Sequence, residues 1–367
     1  MITESPQQVI ARTAAAIAPP NEDAAARAAE RQERLTKPPG SLGRLESLAT
    51  YIAGLTGSDR PRLARRLLVV AAGDHGVAAH DVSAYPQSVT AQMAANFAGG
   101  GAAVSVLADH AGARVRIVDA GVAGDTVDAP GLLRLRLGAG TDDITRGPAM
   151  SRELAARTIA EGIALFEAEH DAAGGGGVDI VGCGEMGIGN STAAATIVAA
   201  VTGRPPRSVT GRGTGIDDDR FEAKIGAVER ALEVNRPDAT DGVALLAAIG
   251  GFEIGVLAGV YLAAAAARVP AVVDGLISGA AALVATAVEP AVQPYLVASH
   301  RSVEPGHSAT LEQLALEPLF DLGMRLGEGT GAAIGITLCV AACRLLDEMA
   351  TFDEAGVDGS DTVVMPE

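Results

Sequence analysis

The sequence contains no tryptophan, and aromatic residues make up only 3% of it. This scarcity disfavours the aromatic stacking platforms on which proteins bind single-stranded nucleic acids. Lysine and arginine total 28 residues against 45 aspartates and glutamates, which gives a formal net charge of −17. Nucleic acids and anionic membranes both need a basic face. We therefore expect neither as a partner, although a small anionic ligand needs only local positive charge.

Cysteine is also scarce, and its spacing indicates neither disulfides nor zinc. The three cysteines are Cys183, Cys339 and Cys343. An odd number without paired CxxC spacing argues against a disulfide framework or a zinc site. The six histidines show no HxH or HExxH spacing either. We therefore predict buried free thiols and no bound metal.

Long apolar runs and a targeting signature are missing as well. The first residues lack the basic-then-apolar pattern of a signal peptide. The apolar stretches 254–267 and 275–288 are each 14 residues long, short of the ~20 that cross a bilayer. We expect both to be buried helices of a cytoplasmic protein. At 48% hydrophobic residues, the chain can form one large core and a smaller satellite.

Both ends of the sequence are predicted to be helical. Ser5 opens a capping box with proline at the first helical position. Asn21 is a candidate cap of a second helix, and a third is predicted to begin at Ser41. The carboxyl-terminal helix is predicted for about 331–349. The acidic segment 353–367 follows it, and we expect that segment to be frayed.

The middle of the chain alternates short β-branched runs with helical stretches. This alternation indicates parallel βαβ units. The runs are almost entirely apolar, as expected when helices cover both faces of a sheet. The sequence therefore predicts an α/β fold with a mostly parallel sheet flanked by helices. The predicted strands are residues 67–71, 115–118, 178–181, 208–210, 269–273 and 295–297.

Small and polar residues follow every predicted strand. In an open parallel sheet, the carboxyl ends of the strands form the ligand crevice. Six such ends at one edge predict a single shared binding site. The segments are residues 73–76, 119–121, 182–190, 211–215, 274–275 and 299–304.

The segment 182–187 matches GxGxxG after a predicted strand. A dinucleotide site would want an acid about 20 residues further on, and 205–210 offers none, so NAD binding is disfavoured. A mononucleotide phosphate fits better, because glycines let backbone N–H groups approach an anion. Residues 190–192 are candidates to cap the following helix. The alternative is a turn whose glycines serve only packing.

The two lysines, Lys37 and Lys224, stand out among 28 basic residues. Because the other basic positions are all arginine, a retained lysine indicates a site that needs a compact point charge, as a phosphate site does. Lys224 follows the 211–215 turn near a helix start, so we predict a phosphate ligand, with a solvated helix residue as the alternative. Lys37 lies in a helix–helix connection, where a structural or interface role is at least as plausible.

Glu328 has glycines on both sides, at Gly327 and Gly329, just before an apolar helix. A carboxylate there can be held in a narrow crevice. Burial would raise its pKa and suit it to general-base catalysis. The alternative is a glutamate that stabilises the helix dipole.

Four motifs together resemble the nicotinate-nucleotide:dimethylbenzimidazole phosphoribosyltransferase family. They are KPPGSLGRLE at 37–46, DHGV at 74–77, GEMGIGN at 184–190 and RLGEG at 325–329. The resemblance implies phosphoribosyl transfer from nicotinate mononucleotide to 5,6-dimethylbenzimidazole or a related base. The products are α-ribazole 5′-phosphate, which supplies the lower ligand of cobalamin, and nicotinate. It implies no cofactor and no metal.

The resemblance also implies an architecture. The α/β domain, residues 61–330, is expected to be Rossmann-like. A smaller helical domain is expected from residues 1–60 together with about 331–352, followed by the acidic tail 353–367. The family is homodimeric, so we expect a homodimer.

Carried over position by position, the resemblance places the catalytic glutamate at Glu328 and a second acidic site residue at Glu185. The phosphate-binding positions fall on Gly187, Gly213, Lys224 and Ser302, and the incoming base is expected against Tyr85, Met93, Met186 and Leu326.

Two other functions remain open from the sequence. A non-catalytic regulatory module that binds a nucleotide or azole would keep the glycine turns and Lys224 but would not need Glu328. An NAD-dependent dehydrogenase is the other alternative, which the missing acid after the GxGxxG segment disfavours.

Overall fold

A computed structural model of the protein describes residues 4–124 and 129–358. Six strands in these residues form one sheet in the order β3-β2-β1-β4-β5-β6, and every pairing is parallel. The predicted parallel α/β fold is thus confirmed. The strands are β1 (Arg66–Gly73), β2 (Ala113–Gly121), β3 (Leu132–Arg134), β4 (Ile180–Met186), β5 (Ala271–Val273) and β6 (Leu296–Ala298).

The strand predictions succeed for the buried runs and fail in two places. Segment 208–210 is not a strand, because Pro206 starts a short helix there and the Thr210 hydroxyl donates to the Pro206 carbonyl. A proline at the first helical position is favourable, whereas it cannot donate to a sheet ladder. The edge strand β3 was missed, since three half-exposed residues give no periodic signal.

Helices surround this sheet. They are α1 (Pro6–Ala15), α2 (Glu22–Arg34), α3 (Arg44–Thr56), α4 (Ser88–Ala98), α5 (Ala103–His110), α6 (Arg152–Ala172), α7 (Asn190–Thr202), α8 (Pro206–Val209), α9 (Asp218–Asn235), α10 (Gly242–Ile249), α11 (Phe252–Ala266), α12 (Leu276–Val288), α13 (Pro305–Gln313), α14 (Thr330–Glu348) and α15 (Phe352–Ala355).

Side chains of the central strand alternate between two apolar cores. Leu67 and Val69 of β1 belong to the larger core, whereas Leu68 and Val70 belong to the smaller one. Helix α11 covers the sheet on the first side, with α6 packed over it, and α14 covers β4 and β5 on the other side. Because both faces are covered, the strands are apolar throughout, as their sequence indicated.

The predicted amino-terminal caps of α1 and α2 are confirmed, but α3 begins later than expected. The Ser5 side chain accepts from Gln8 N, and that of Asn21 accepts from Ala24 N. Helix α3 begins at Arg44, because residues 37–43 form a separate turn. The Glu46 carboxylate accepts the N–H groups of residues 40 and 42 and forms a 2.8 Å ion pair with Lys37.

Helix α14 spans 19 residues and is apolar enough, by length and composition alone, to cross a membrane. Its buried side chains, including Ala332 and Ile336, pack into the smaller core against the sheet. This is the environment of a core helix. The predicted frayed tail instead begins with α15, which Thr351 and Glu354 cap reciprocally. Residues 359–367 of that tail lie outside the described residues.

The amino-terminal helices divide between the two sides of the sheet. Helices α2 and α3 pack with α14, whereas α1 packs on α6 and α11. The proposed division into a small helical domain and residues 61–330 stays a prediction. What the fold does establish is that the carboxyl ends of β1, β4, β5 and β6 open toward the same edge of the sheet.

Candidate active site

A cavity of about 560 Å³ lies where β4 meets the loops that follow the strands. Its size is typical of small-molecule sites. The wall combines carboxylates, glycine backbone and apolar side chains. It is lined by Tyr85, Glu185, Met186, Gly187, Ile188, Asn190, Ser191, Gly213, Thr214, Leu276, Ile277, Glu304, Arg325, Leu326 and Glu328.

Glu328 lies in this wall on an unusual turn. Gly327, Glu328 and Gly329 have φ angles of 80°, 64° and 87°, so three successive residues occupy the left-handed region. For a glutamate this conformation costs roughly 1–2 kcal/mol. Helix α14 begins at the next residue. The turn thus presents the Glu328 side chain at the cavity instead of on the helix surface.

Burial raises the pKa of Glu328 to about 7, and the nearby Asp274 carboxylate contributes to the rise. The side chain is 7% exposed. A carboxylate with a pKa near neutrality is matched to proton abstraction at physiological pH. The direction of the pKa shift is the one predicted from the flanking glycines.

Glycines lie next to Glu185 and Glu328 because strand β4 and the 327–329 turn pack closely against each other. A Cβ on Gly184 would overlap the Gly329 nitrogen and the Glu328 carbonyl. A Cβ on Gly327 would lie 2.5 Å from the Glu185 Oε1 atom. Strand β4 and the 327–329 turn therefore meet without side chains between them, and this contact brings Glu185 and Glu328 into one cavity.

Glu185 is a buried acid whose charge depends on its surroundings. Its side chain accepts a hydrogen bond from Asn190 Nδ2. Burial, together with the Asp274 and Glu253 carboxylates, raises the pKa of Glu185 to about 8. At pH 7 this carboxyl is therefore mostly neutral, and a cation beside it would favour its ionised form.

The GxGxxG glycines pack against protein instead of standing open to a ligand. A Cβ on Gly182 would lie 2.7 Å from Leu68 Cδ1, and one on Gly187 would overlap the Gly73 carbonyl oxygen. The backbone of Gly187 nevertheless lines the cavity. The predicted capping by residues 190–192 is wrong, because Gly189, with φ of 97°, is the cap of α7 and no side chain caps it.

Lys224 does not line the cavity. It is 0% exposed, and its ammonium donates to Ser191 Oγ and the Gly211 carbonyl, both at 2.9 Å. Ser191 does line the cavity, in the first turn of α7. Burial lowers the pKa of Lys224 to about 8, while Glu304 opposes that effect. Lys224 thus remains cationic at pH 7 behind Ser191.

Ser302 is also buried outside the cavity wall. Its N–H donates to His307 Nδ1, and its Oγ accepts from the Glu304 N–H. Ser302 thereby shapes the turn that carries Glu304, whose Oε1 accepts from Gly213 N at 2.9 Å. Glu304 lines the cavity, and the sequence assigned it no role although it ends the polar segment 299–304.

Three of the four residues expected to contact the incoming base line the cavity, and Met93 does not. Tyr85, Met186 and Leu326 form part of the wall, with Tyr85 56% and Leu326 57% exposed. Met93 of α4 packs against the smaller core instead. The guanidinium of Arg325, another residue without a sequence-based role, donates to the Gly213 carbonyl at 2.9 Å.

His75 and the three cysteines are buried outside the cavity wall. His75 Nε2 lies 2.7 Å from Glu253 Oε1, and both side chains are buried. All three cysteines are buried and free, as predicted. Within residues 4–124 and 129–358, no group of three or more His, Cys, Asp or Glu side chains is arranged to hold a metal ion.

Relatives found by sequence and by structure carry the name of one enzyme activity. A family model described as Phosphoribosyltransferase matches residues 17–357. A nicotinate-nucleotide--dimethylbenzimidazole phosphoribosyltransferase of Roseiflexus sp. (strain RS-1) is 57% identical over 351 residues, covering 96% of this chain and 98% of the relative. Its namesake from Chloroflexus aggregans is 54% identical over 341 residues, covering 93% and 96%. The crystal structure of the Thermus thermophilus namesake is 42% identical, with a TM-score of 0.86, covering 93% of this chain and all of that one.

Proposed function

Because the chain belongs to the nicotinate-nucleotide:dimethylbenzimidazole phosphoribosyltransferase family, we propose that it transfers the ribose-phosphate of nicotinate mononucleotide to 5,6-dimethylbenzimidazole or a related base. The products are α-ribazole 5′-phosphate and nicotinate. The observation that carries this proposal is Glu328, a buried carboxyl with a pKa of about 7 in the wall of a 560 Å³ cavity.

The reaction needs a base more than an acid. The leaving nicotinate departs from a pyridinium, so it leaves without protonation. The incoming azole must lose its N–H proton as its nitrogen bonds to C1′, and Glu328 is the group proposed to accept that proton. Attack from the side opposite the leaving group inverts C1′ and converts the β-nucleotide into the α-product.

Glu185 is proposed to stabilise positive charge at the ribose. The transition state resembles an oxocarbenium ion, which a nearby carboxylate favours electrostatically. The Glu185 carboxyl is mostly neutral at pH 7 because burial raises its pKa to about 8. The pyridinium of bound nicotinate mononucleotide lowers that pKa, so substrate binding itself would ionise Glu185.

The phosphate is proposed to bind at the amino-terminus of α7. Ser191 and the Gly187 backbone line the cavity there, and helix amino-termini favour anions. The Gly213 N–H already donates to Glu304 Oε1, so Gly213 shapes this wall instead of donating to the phosphate. Since Lys224 donates to Ser191 Oγ, the Ser191 hydroxyl proton is left to donate to a phosphate oxygen. The Lys224 ammonium adds positive charge on the far side of Ser191 from the cavity. Ser302 contributes indirectly, because its hydroxyl accepts the Glu304 N–H and shapes the turn that carries Glu304.

The azole is proposed to bind against Met186, Leu326 and Tyr85. These side chains supply apolar surface for a planar aromatic base beside Glu328. Met93 packs into the core next to this wall instead of lining it, so its proposed contribution is support. We also infer a cytoplasmic homodimer from the family; the three free cysteines suit a reducing compartment.

The direct test is to incubate the protein with nicotinate mononucleotide and a panel of benzimidazoles, purines and phenols. Mass spectrometry should identify an α-riboside phosphate together with released nicotinate. Nicotinate release without a base-riboside product, or no product with any base, would contradict the proposed reaction.

A pH dependence follows from Glu328. Because both glutamates act when ionised, kcat/KM should fall as pH decreases through about 8 and again through about 7, the raised pKa values of Glu185 and Glu328 in the free enzyme. The Glu185 limb should be absent from kcat, since the bound pyridinium keeps that carboxylate ionised. Initial rates across this range test both limbs. The second ionisation of the substrate phosphate, near ~6, gives a separate limb. A kcat/KM that stays flat through neutrality would contradict the role of Glu328.

A further inference from the structure

Asp274 lies at the carboxyl end of β5 and is 1% exposed. Its two oxygens bind different parts of the Glu328 turn. Oδ2 accepts from the Gly329 N–H at 3.1 Å, and Oδ1 accepts from the Ala332 N–H at 2.9 Å. One carboxylate thus ties the residue after Glu328 to the first turn of α14.

The Glu328 turn has few other anchors. Thr330 N and Thr330 Oγ1 both donate to the Gly327 carbonyl, which closes the turn internally. Gly184 leaves room for the turn against β4 but supplies no side chain to hold it. Among the residues that the structure describes, Asp274 is therefore the side chain that fixes this left-handed segment to the sheet.

We propose that Asp274 is a positioning residue for Glu328, holding the strained turn so that the carboxyl points into the cavity, and that its negative charge tunes Glu328 as a base. This inference rests on the proposed function, in which Glu328 accepts the azole proton. Asp274 does not line the cavity, so it acts through Glu328 and not on substrate.

The charge effect has a definite sign. The Asp274 carboxylate is the second cause, after burial, of the raised pKa of Glu328. Burial raises the pKa of Asp274 above its usual value, and His300 together with the backbone N–H groups at the start of α14 opposes that rise. The other titratable groups that face this cluster are Cys183 and Glu185 on β4, Glu253 and Tyr261 on α11, His300 after β6, His307 on α13 and Asp321 in the loop beyond it.

The discriminating variants are Asp274→Asn and Asp274→Glu. Asparagine removes the charge and turns an N–H donor toward one of the two backbone N–H groups. The pKa of Glu328 should then fall by about 1 unit, the lower end for a lost neighbouring charge. The expected loss in kcat is about ten-fold, less than the ~10²-fold that a 1 Å misplacement can cause. Glutamate keeps the charge but displaces the oxygens, so kcat should fall while the pKa stays near its wild-type value.

The pKa is read directly from the infrared C=O band of the protonated carboxyl that disappears in Glu328→Gln. This titration contains no substrate, so substrate ionisations do not interfere. Asp119→Asn is the matched control, because Asp119 is also a buried carboxylate at a strand end that accepts a loop N–H, from Val122. It should leave the Glu328 band unmoved. An unshifted band in Asp274→Asn, with the wild type active, would overturn the inference.

Two further measurements distinguish a failure of the Asp274 inference from a failure of the proposed function and from misfolding of the variant. If the wild type makes no riboside phosphate, the proposed function fails, whereas the infrared titration still judges the effect of Asp274. If Asp274→Asn does not fold, hydrogen exchange of wild-type residues 327–332, read by mass spectrometry, judges the anchor. Slow exchange at Gly329 and Ala332 is expected, and exchange as fast as in an open loop would contradict the positioning role.

Discussion

Glu328→Gln should lower kcat by about 10²–10⁴-fold, the range in which a general base contributes. Glutamine has nearly the same shape but cannot take a proton from the azole. Binding of nicotinate mononucleotide, measured by calorimetry, should stay near the wild-type value, because the proposed phosphate contacts lie at Ser191 and the amino-terminus of α7. The rate is measured as nicotinate released with saturating substrates.

The control is Glu317→Gln, which neutralises a glutamate whose side chain is 76% exposed, outside the cavity, in an ion pair with Arg44. It should turn over as the wild type does. Turnover retained in Glu328→Gln would refute the base assignment. Ligand binding in the wild type without any turnover would instead favour a regulatory binding module.

Lys224→Met should raise the KM for nicotinate mononucleotide by about 10- to 100-fold, the equivalent of losing a charge-assisted hydrogen bond of about 1.5–3 kcal/mol. Methionine fills the volume of the lysine stem without its charge. Ser191 then loses the donor that orients its hydroxyl, and the anion site loses its buried cation. Steady-state kinetics should show a much smaller change in the KM for the azole.

The matched control is Arg230→Met, on the same helix but exposed and paired with Glu233. It should leave both KM values unchanged. Thermal melting separates binding from folding, because the variant leaves the Gly211 carbonyl without its donor and Glu304 without its neighbouring cation, and both losses lower stability. An unchanged KM for the nucleotide in a folded Lys224→Met variant would contradict the phosphate assignment.

The sequence predicts well whatever is encoded locally. Runs such as 67–71 are apolar because both faces of the strand are buried, and their β-branched composition is visible in a short window. The caps at Ser5 and Asn21 are likewise local, since the side chain bonds a backbone group three residues away. The failure at 208–210 is also local: the prolines before it favour a helical turn over a strand.

The site is harder to predict, because its contacts join distant segments. Glu328 stands out through its flanking glycines, but the reason for them lies 144 positions away along the chain, where Gly184 meets the turn. Lys224 stands out through its rarity and its place after the 211–215 turn, but nothing in the sequence shows that Ser191 lies between it and the cavity. Glu304 and Asp274 were named only as parts of polar segments, since their roles depend on backbone N–H groups brought to them by folding.

The left-handed backbone at Glu328 sets a limit on how this protein can be improved. At φ of 64°, glycine would satisfy the main chain better than any residue with a Cβ. Selection for thermal stability alone would therefore favour glycine at this position and yield a more stable but inactive protein. Catalytic activity and stability therefore place opposite demands on this residue. A screen for more stable variants must also measure turnover if Glu328 is to be retained.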